Sequence, residues 1–153
     1  MNRYGITTDD MDDNLLLGRW RWLAPSSYRV LLASALGDLF LADDAGAAHW
    51  LDVGAGELTT VAENLKAFRE AWEEDGNRDV WFGPGLVDAL EAVEGRKPDE
   101  CYSYIMLPIL GGSFEPSNFV VRTLQQHLDG WGPIQQKLSS LPDGAQVTLS
   151  VEP

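Results

Sequence analysis

The segment from residue 28 to residue 61 most constrains the fold, because it consists of short apolar runs interrupted by glycine and aspartate. Runs of this length between turn residues are typical of β-strands rather than helices. The sequence Asp43-Asp44-Ala45-Gly46 predicts a hairpin turn, since aspartate supplies local hydrogen bonds and glycine a positive φ. The segment therefore predicts an antiparallel meander of about four strands.

Three segments with apolar residues at helical spacing predict helices around this meander. The first covers residues 15–23 and ends before Pro25, which cannot continue a helix. The second begins at a capping Asn64, after the meander. The third has Pro84 in its first turn and Gly95 just past its end, which is the usual placement of both residues.

The last third of the chain predicts more strands and a long helix. Residues 102–107 and 118–123 read as strands, and 124–138 carry a helical apolar stripe in which Pro133 either kinks one helix or starts a second. Residues 145–151 alternate apolar and polar, which predicts a closing strand. The fold class predicted is α+β, with an antiparallel sheet of meander and C-terminal strands and helices packed on one side.

Charge excludes several classes of partner. Among 153 residues, 24 are acidic and 11 basic, giving a net charge of −13. Such a chain repels phosphate backbones and anionic lipid headgroups, so we expect no direct nucleic-acid binding and no membrane binding. Residues 1–14 are polar and acidic, where a secretory signal needs a basic start and an apolar run. We therefore expect a cytoplasmic protein in which residues 1–14 form a mobile arm outside the core.

The sequence offers little for catalysis or for cofactor binding. Cys101 and two histidines are too few for a zinc site, and no phosphate-binding glycine loop is present, so we expect no metal and no cofactor. His49 and His127 are predicted to be structural residues. Cys101 lies beside carboxylates, which raise the pKa of a thiol rather than activate it. We expect no enzymatic activity.

The combination of acidic residues with tryptophan favours a surface that captures a basic protein. Long-range attraction raises the encounter rate, while buried aromatic rings slow dissociation. The alternative for each tryptophan is a core residue beside ordinary solvated acids. The predicted partner-binding residues lie in the acidic hairpin and at a helix end: Asp43, Asp44, Asp52, Trp72, Glu73, Glu74 and Asp75.

The chain also resembles the immunity-protein domain found in type VI secretion loci, which often follows a GAD-like domain. The resemblance rests on short blocks in the family's order, among them Ala-Leu-Gly-Asp-Leu-Phe-Leu and Leu-Pro-Asp-Gly. These blocks are residues 35–41, 44–46, 49–52, 56–58, 62–65 with Phe68, 107–112, 135–138 and 141–144. The resemblance covers residues 20–150 and implies that residues 15–153 form one immunity-like α+β domain.

The resemblance implies a bacterial cytoplasmic protein that binds and neutralises a cognate toxin, often one that cleaves DNA. The main hypothesis is therefore a non-enzymatic immunity protein that blocks a basic toxin by occupancy, with its oligomeric state, including a homo-oligomer, left open. The alternative is a regulatory module that binds a small ligand or peptide, which a closed apolar pocket would favour. A third hypothesis, a hydrolase, requires two acids that converge in a cleft.

Overall fold

A computed structural model describes residues 3–142 as seven strands, five α-helices and two short 3₁₀ turns. The strands are β1 Gly5–Ile6, β2 Arg29–Ser34, β3 Leu39–Ala42, β4 Ala48–Asp52, β5 Glu57–Ala62, β6 Glu100–Tyr104 and β7 Phe119–Thr123. The helices are α1 Asp13–Leu16, α2 Leu65–Trp72, α3 Asp75–Phe82, α4 Pro84–Val93 and α5 Leu124–Ser139. The 3₁₀ turns, Pro108–Leu110 and Pro116–Asn118, lie between β6 and β7. The α+β class predicted from the sequence is confirmed.

The predicted meander is confirmed as the centre of a five-stranded antiparallel sheet with the order β1-β2-β3-β4-β5. The hairpin turn between β3 and β4 forms as its sequence predicts. The Asp43 carboxylate accepts backbone N–H bonds from Ala45 at 2.9 Å and Ala47 at 3.0 Å, and Gly46 takes a φ of 90°. These contacts fix the register in which β3 pairs with β4.

Helices cover both faces of this sheet, whereas the sequence analysis predicted helices on one side. Every residue of β3 is buried. Leu39 and Leu41 belong to a core that also contains Trp20 and Leu128, while Phe40, between them, packs in another core with α2 and α3. A strand buried on both faces reads as a continuous apolar run, and residues 39–42 are such a run.

The C-terminal strands do not join the meander as predicted. β6 and β7 form a separate two-stranded antiparallel sheet. A backbone hydrogen bond from the Tyr102 N–H to the Ala35 carbonyl, 2.8 Å, connects this small sheet to the loop after β2. The predicted closing strand at 145–151 lies outside the described residues.

The N-terminal segment is also more ordered than predicted. Residues 1–14 were expected to lie outside the core, but β1 pairs with β2 and both Ile6 and Thr8 are buried. Ile6 is buried in the core and Met11 packs against it, while Asp9, Asp10 and Asp12 remain exposed. The helix predicted for 15–23 is limited to α1, and the chain after it turns repeatedly so that Leu17 and Trp20 are fully buried.

One helix was not predicted, and another decides between two alternatives that the sequence left open. The sequence analysis assigned no helix to α3, which ends at Gly83 with a left-handed φ of 52°. α5 is one helix that continues through Pro133, and it begins with a capping box formed by Thr123 and Gln126. Gly132 lets α5 approach the backbone of Arg19, because a Cβ there would lie 2.5 Å from the Arg19 carbonyl oxygen.

Candidate functional site

The acidic junction, defined as Glu73, Glu74 and Asp75 between α2 and α3, is the most exposed part of the predicted binding surface. The side chain of Glu73 is 70% exposed and that of Asp75 is 95% exposed. Arg78 lies 3.4 Å from the Glu73 carboxylate and 3.9 Å from that of Asp75. Ion pairs at such exposure contribute little to stability. The junction therefore presents its carboxylates to solvent, where they can act at long range.

Trp72, the predicted aromatic anchor, is part of the framework beside this junction. Its ring is half-buried and meets Phe68 edge to face, with 5.2 Å between ring centroids. Its indole N–H donates to the Glu73 carboxylate at 2.9 Å. Trp72 thus holds Glu73 in place and offers only part of its ring to a partner.

Asp43 and Asp44 lie at the β3–β4 turn, and they differ in how their carboxylates are used. Asp43 bonds the turn backbone and lies 2.8 Å from Nε2 of buried His49, so its pKa is lowered, chiefly by that hydrogen bond. His49 also bonds Thr60 and stacks on Tyr28. Asp44 is exposed. Of the two, Asp44 is the one whose carboxylate faces solvent.

Asp52 lies at the opposite end of the same hairpin, about 14 Å along β4 from the turn. Its carboxylate accepts an N–H bond from Ala55 at 3.2 Å. Burial raises its pKa, and repulsion from Glu57 adds to the rise. The seven predicted residues therefore occupy three places: the acidic junction with Trp72, the β3–β4 turn, and the β4–β5 turn.

An open groove of about 700 Å³ lies between β1, the end of α2 and the segment after α4. Its lining combines the charged side chains Arg3, Asp9, Glu91 and Arg96 with the apolar side chains Ile6, Leu31, Leu32, Trp72 and Pro98. A regulatory ligand module would have a closed apolar pocket. The groove is open to solvent and four charged side chains interrupt its apolar lining, so it is not a closed apolar pocket.

A buried serine–histidine pair lies on β6 and α5. His127 Nε2–H donates to the Gly37 carbonyl at 3.2 Å, so its Nδ1 accepts from the Ser103 hydroxyl at 2.6 Å. The Trp131 indole N–H donates to the same hydroxyl at 3.2 Å. Burial lowers the pKa of His127 to about 4, which keeps the ring neutral. Both side chains are about 1% exposed, so the pair is a structural network that no substrate reaches.

The remaining titratable groups of the interior are structural as well. Asp38 accepts bonds from the Val53 N–H at 3.0 Å and the Trp50 indole at 3.2 Å, and burial raises its pKa well above the usual range. Cys101 is buried and its thiol pKa is raised. Burial, more than the neighbouring carboxylates that the sequence suggested, causes this rise.

The described residues contain neither a metal-binding cluster nor a membrane-spanning helix. Within residues 3–142, no three His, Cys, Asp or Glu side chains are grouped so that they could hold a metal ion. No helix in the same range is both long enough and apolar enough to cross a membrane.

The sequence analysis missed an apolar surface in the β6–β7 loop, residues 105–118. Four large apolar side chains are exposed there: Ile105 by 60%, Met106 by 47%, Ile109 by 55% and Phe114 by 60%. Residues 101–114 contain no charged side chain, in a chain of which 23% is charged. That uncharged stretch is the signal that could have identified the loop, since interface centres are poor in charged residues.

The loop is held rigidly despite its exposure. The Asn118 side chain accepts from the Met106 N–H and donates to the Met106 and Ser113 carbonyls, each at 2.9 Å. Leu107 anchors the loop from below and is fully buried. Gly112 lies against the Met106 carbonyl with no room for a Cβ. The exposed apolar side chains therefore stand on a fixed backbone.

Comparison with known proteins matches part of the chain to one family model. Residues 62–131 match the family described as "T6SS immunity protein Tdi1, C-terminal". The match confirms the predicted resemblance to type VI secretion immunity proteins. It supports an immunity function for this chain. The matched segment contains the acidic junction and the β6–β7 loop, whereas both hairpin turns precede it.

A solved structure shares the fold. The crystal structure of Atu4351 from Agrobacterium tumefaciens aligns with 86% of this chain and 67% of its own, with a TM-score of 0.56 and 14% sequence identity. At this identity the likeness concerns the fold alone. No curated protein sequence matches the chain.

Proposed function

We propose that this chain is a cytoplasmic immunity protein that binds a basic toxin, a secreted nuclease effector, and neutralises it by occupancy without catalysis. The observation that carries the proposal is the match of residues 62–131 to type VI secretion immunity proteins. An immunity function requires a toxin to be inhibited, and the chain's own charge indicates the chemistry of that toxin.

The net charge of −13 supports a basic partner. A nuclease must present basic side chains to the phosphates of its substrate, and an acidic protein can compete for that surface. The acidic junction is the most exposed set of the predicted partner-binding residues, and Asp44 adds another solvent-facing carboxylate. Attraction at this range raises the association rate more than it raises affinity.

Inhibition by occupancy fits the interior of the chain. The Ser103–His127 pair is buried and hydrogen-bonded to the protein itself, and Cys101 is a buried thiol with a raised pKa. These groups stabilise the fold. We therefore assign the inhibition of the toxin to the surface of the protein.

The test is an inhibition titration with the polypeptide encoded by the reading frame adjacent to the gene for this chain. We expect that polypeptide to cleave plasmid DNA and the purified chain to abolish cleavage at a 1:1 molar ratio, with a Kd of about 1 nM or below. The control is Asn64→Ala, which removes the cap of α2 and costs only a little stability. This variant should still abolish cleavage. Undiminished cleavage at a tenfold excess of the chain would refute the proposal.

A further inference from the structure

The β6–β7 loop has the composition of an interface centre. Met and aromatic residues are enriched and charged residues depleted at the buried centre of protein interfaces. Half of the eight large hydrophobic side chains that are exposed in the described chain lie between residues 105 and 114. Phe114 stands beside Tyr104, with their rings edge to face and 6.4 Å between centroids. The four exposed side chains therefore lie within ten residues of one another in a single loop, and we call this set the patch.

Internal hydrogen bonds also fix the conformation of the loop in the absence of a partner. Asn118 replaces backbone pairing by bonding both the N–H and the carbonyl of Met106. The Ile105 N–H adds a 2.7 Å bond to the Asn118 carbonyl. A loop already fixed in one conformation loses little entropy on association, which strengthens binding.

Acidic side chains lie in the loop and in the neighbouring β4–β5 turn, and they indicate the charge of the partner. Gly54 in the β4–β5 turn contacts the base of the loop, because a Cβ there would lie 3.1 Å from Pro108. Asp52 and Glu57 flank that turn and repel each other. Glu115 lies in the loop itself and is exposed. A cationic partner would relieve the repulsion, whereas a second copy docked through the same patch would oppose like charges.

We propose that the β6–β7 loop is the docking surface for the toxin: Ile109 and Phe114, with Ile105 and Met106, enter an apolar recess of the toxin, and Asp52, Glu57 and Glu115 meet basic side chains around it. This inference rests on the proposed function and names the surface that carries it out. The acidic junction then attracts the toxin, while the loop holds it.

The test compares two variants of the full chain for binding to the polypeptide of the adjacent reading frame, by titration calorimetry. In Ile109→Ser with Phe114→Ser, two exposed anchors lose their apolar area, and we expect affinity to fall at least about 100-fold. The matched control is Val93→Ser, which removes an even more exposed apolar side chain, 79%, outside the loop. Its affinity should stay within about twofold of the wild type.

Three outcomes separate the inference from the function on which it rests. If the wild type binds tightly and the double variant binds within about threefold of it, the loop is not the docking surface although the immunity function stands. If the wild type neither binds nor inhibits the polypeptide, the proposed function and the inference fail together. If sedimentation shows a wild-type dimer that the double variant dissolves, the patch belongs to a second copy and the inference is wrong. Circular dichroism verifies folding, and Met106→Ser provides an independent variant of the same patch.

Discussion

The acidic junction and the β6–β7 loop are both exposed, but they are built in opposite ways. The junction carries three consecutive carboxylates whose side chains make exposed contacts with Arg78 and Asn77. The loop carries no charge over residues 105–114, and Asn118 fixes its backbone by three hydrogen bonds. Charges act over roughly 8–10 Å in physiological salt and need no rigid placement, whereas apolar contacts act only when surfaces fit. The two regions are therefore suited to successive stages of one association.

The largest expected effect is a loss of unfolding free energy at acidic pH, caused by protonation of His127 beneath the loop. β6, from which the loop leaves, is held to α5 by the Ser103–His127 bond. The folded pKa of His127 is about 4, below its ordinary 6.5, so between these pH values the unfolded chain binds the extra proton. Stability is therefore complete above pH 6.5 and declines as pH falls toward 4, by about 3 kcal/mol in total.

Urea unfolding at several pH values from 7 to 4 tests this prediction. The variant His127→Gln should be less stable at pH 7 but should lose less stability on acidification than the wild type. Asp38, whose folded pKa is raised, changes stability in the opposite direction as pH falls, but it does so in both proteins. Parallel curves for the two proteins would show that His127 is not the group responsible.

The next largest effect is a loss of affinity for the toxin when the hydrogen bonds that fix the loop are removed. Asn118→Ala removes three hydrogen bonds to the backbone of the loop but leaves every apolar side chain in the sequence. We expect affinity for the toxin to fall by about 10- to 30-fold, because the loop must then become ordered on binding. Calorimetry measures the change, and Asn64→Ala, which removes a helix cap, is the control. Equal affinity in both variants would mean that preorganisation of the loop contributes nothing.

A smaller effect is expected at the acidic junction. Glu73→Lys with Glu74→Lys reverses the charge of two exposed side chains and should lower the association rate about tenfold at roughly 50 mM salt. The dissociation rate should not change, and raising the salt to about 500 mM should remove most of the difference between the variant and wild type. If the double reversal leaves the association rate unchanged at low salt, another acidic face attracts the toxin, and the acids between Glu91 and Glu100 become the next candidates.

The smallest effects separate the two neighbouring aspartates of the β3–β4 turn. Asp43→Asn weakens the contact with His49, and we expect the midpoint of thermal unfolding to fall by roughly 4 °C. Asp44→Asn changes an exposed carboxylate and should leave that midpoint unchanged within about 1 °C. Calorimetric scans of the two variants provide the comparison. Identical midpoints would show that the Asp43–His49 contact adds no stability.

Turns and helix starts could be predicted from the sequence because they depend on the chemistry of a few neighbouring residues. Asp43 and Gly46 determine a turn by their own hydrogen bonds and φ, and Pro84 starts α4 as expected. The pairing of distant elements was harder to predict. The run at 39–42 fits a strand buried on one face or on both, and only the packing of α2 and α3 over Phe40 decides between them.

The two exposed regions differ in how readily a sequence reveals them. Acidic residues are visible in a sequence, so Glu73 and Asp75 were identified as exposed charges before the fold was known. Apolar residues normally predict burial, so Ile109 and Phe114 gave no sign of exposure. Their exposure follows from the bonds of Asn118, which tie together residues up to twelve positions apart.

The most direct test of the account is a rapid-mixing measurement of association and dissociation rates for the chain and the polypeptide of the adjacent reading frame. We expect Ile109→Ser with Phe114→Ser to raise the dissociation rate at least about 100-fold and to leave the association rate within about threefold of the wild-type value. The charge reversal at Glu73 and Glu74 should lower the association rate and leave the dissociation rate unchanged. A loop variant that dissociates as slowly as the wild type would contradict the central claim that the β6–β7 loop holds the toxin.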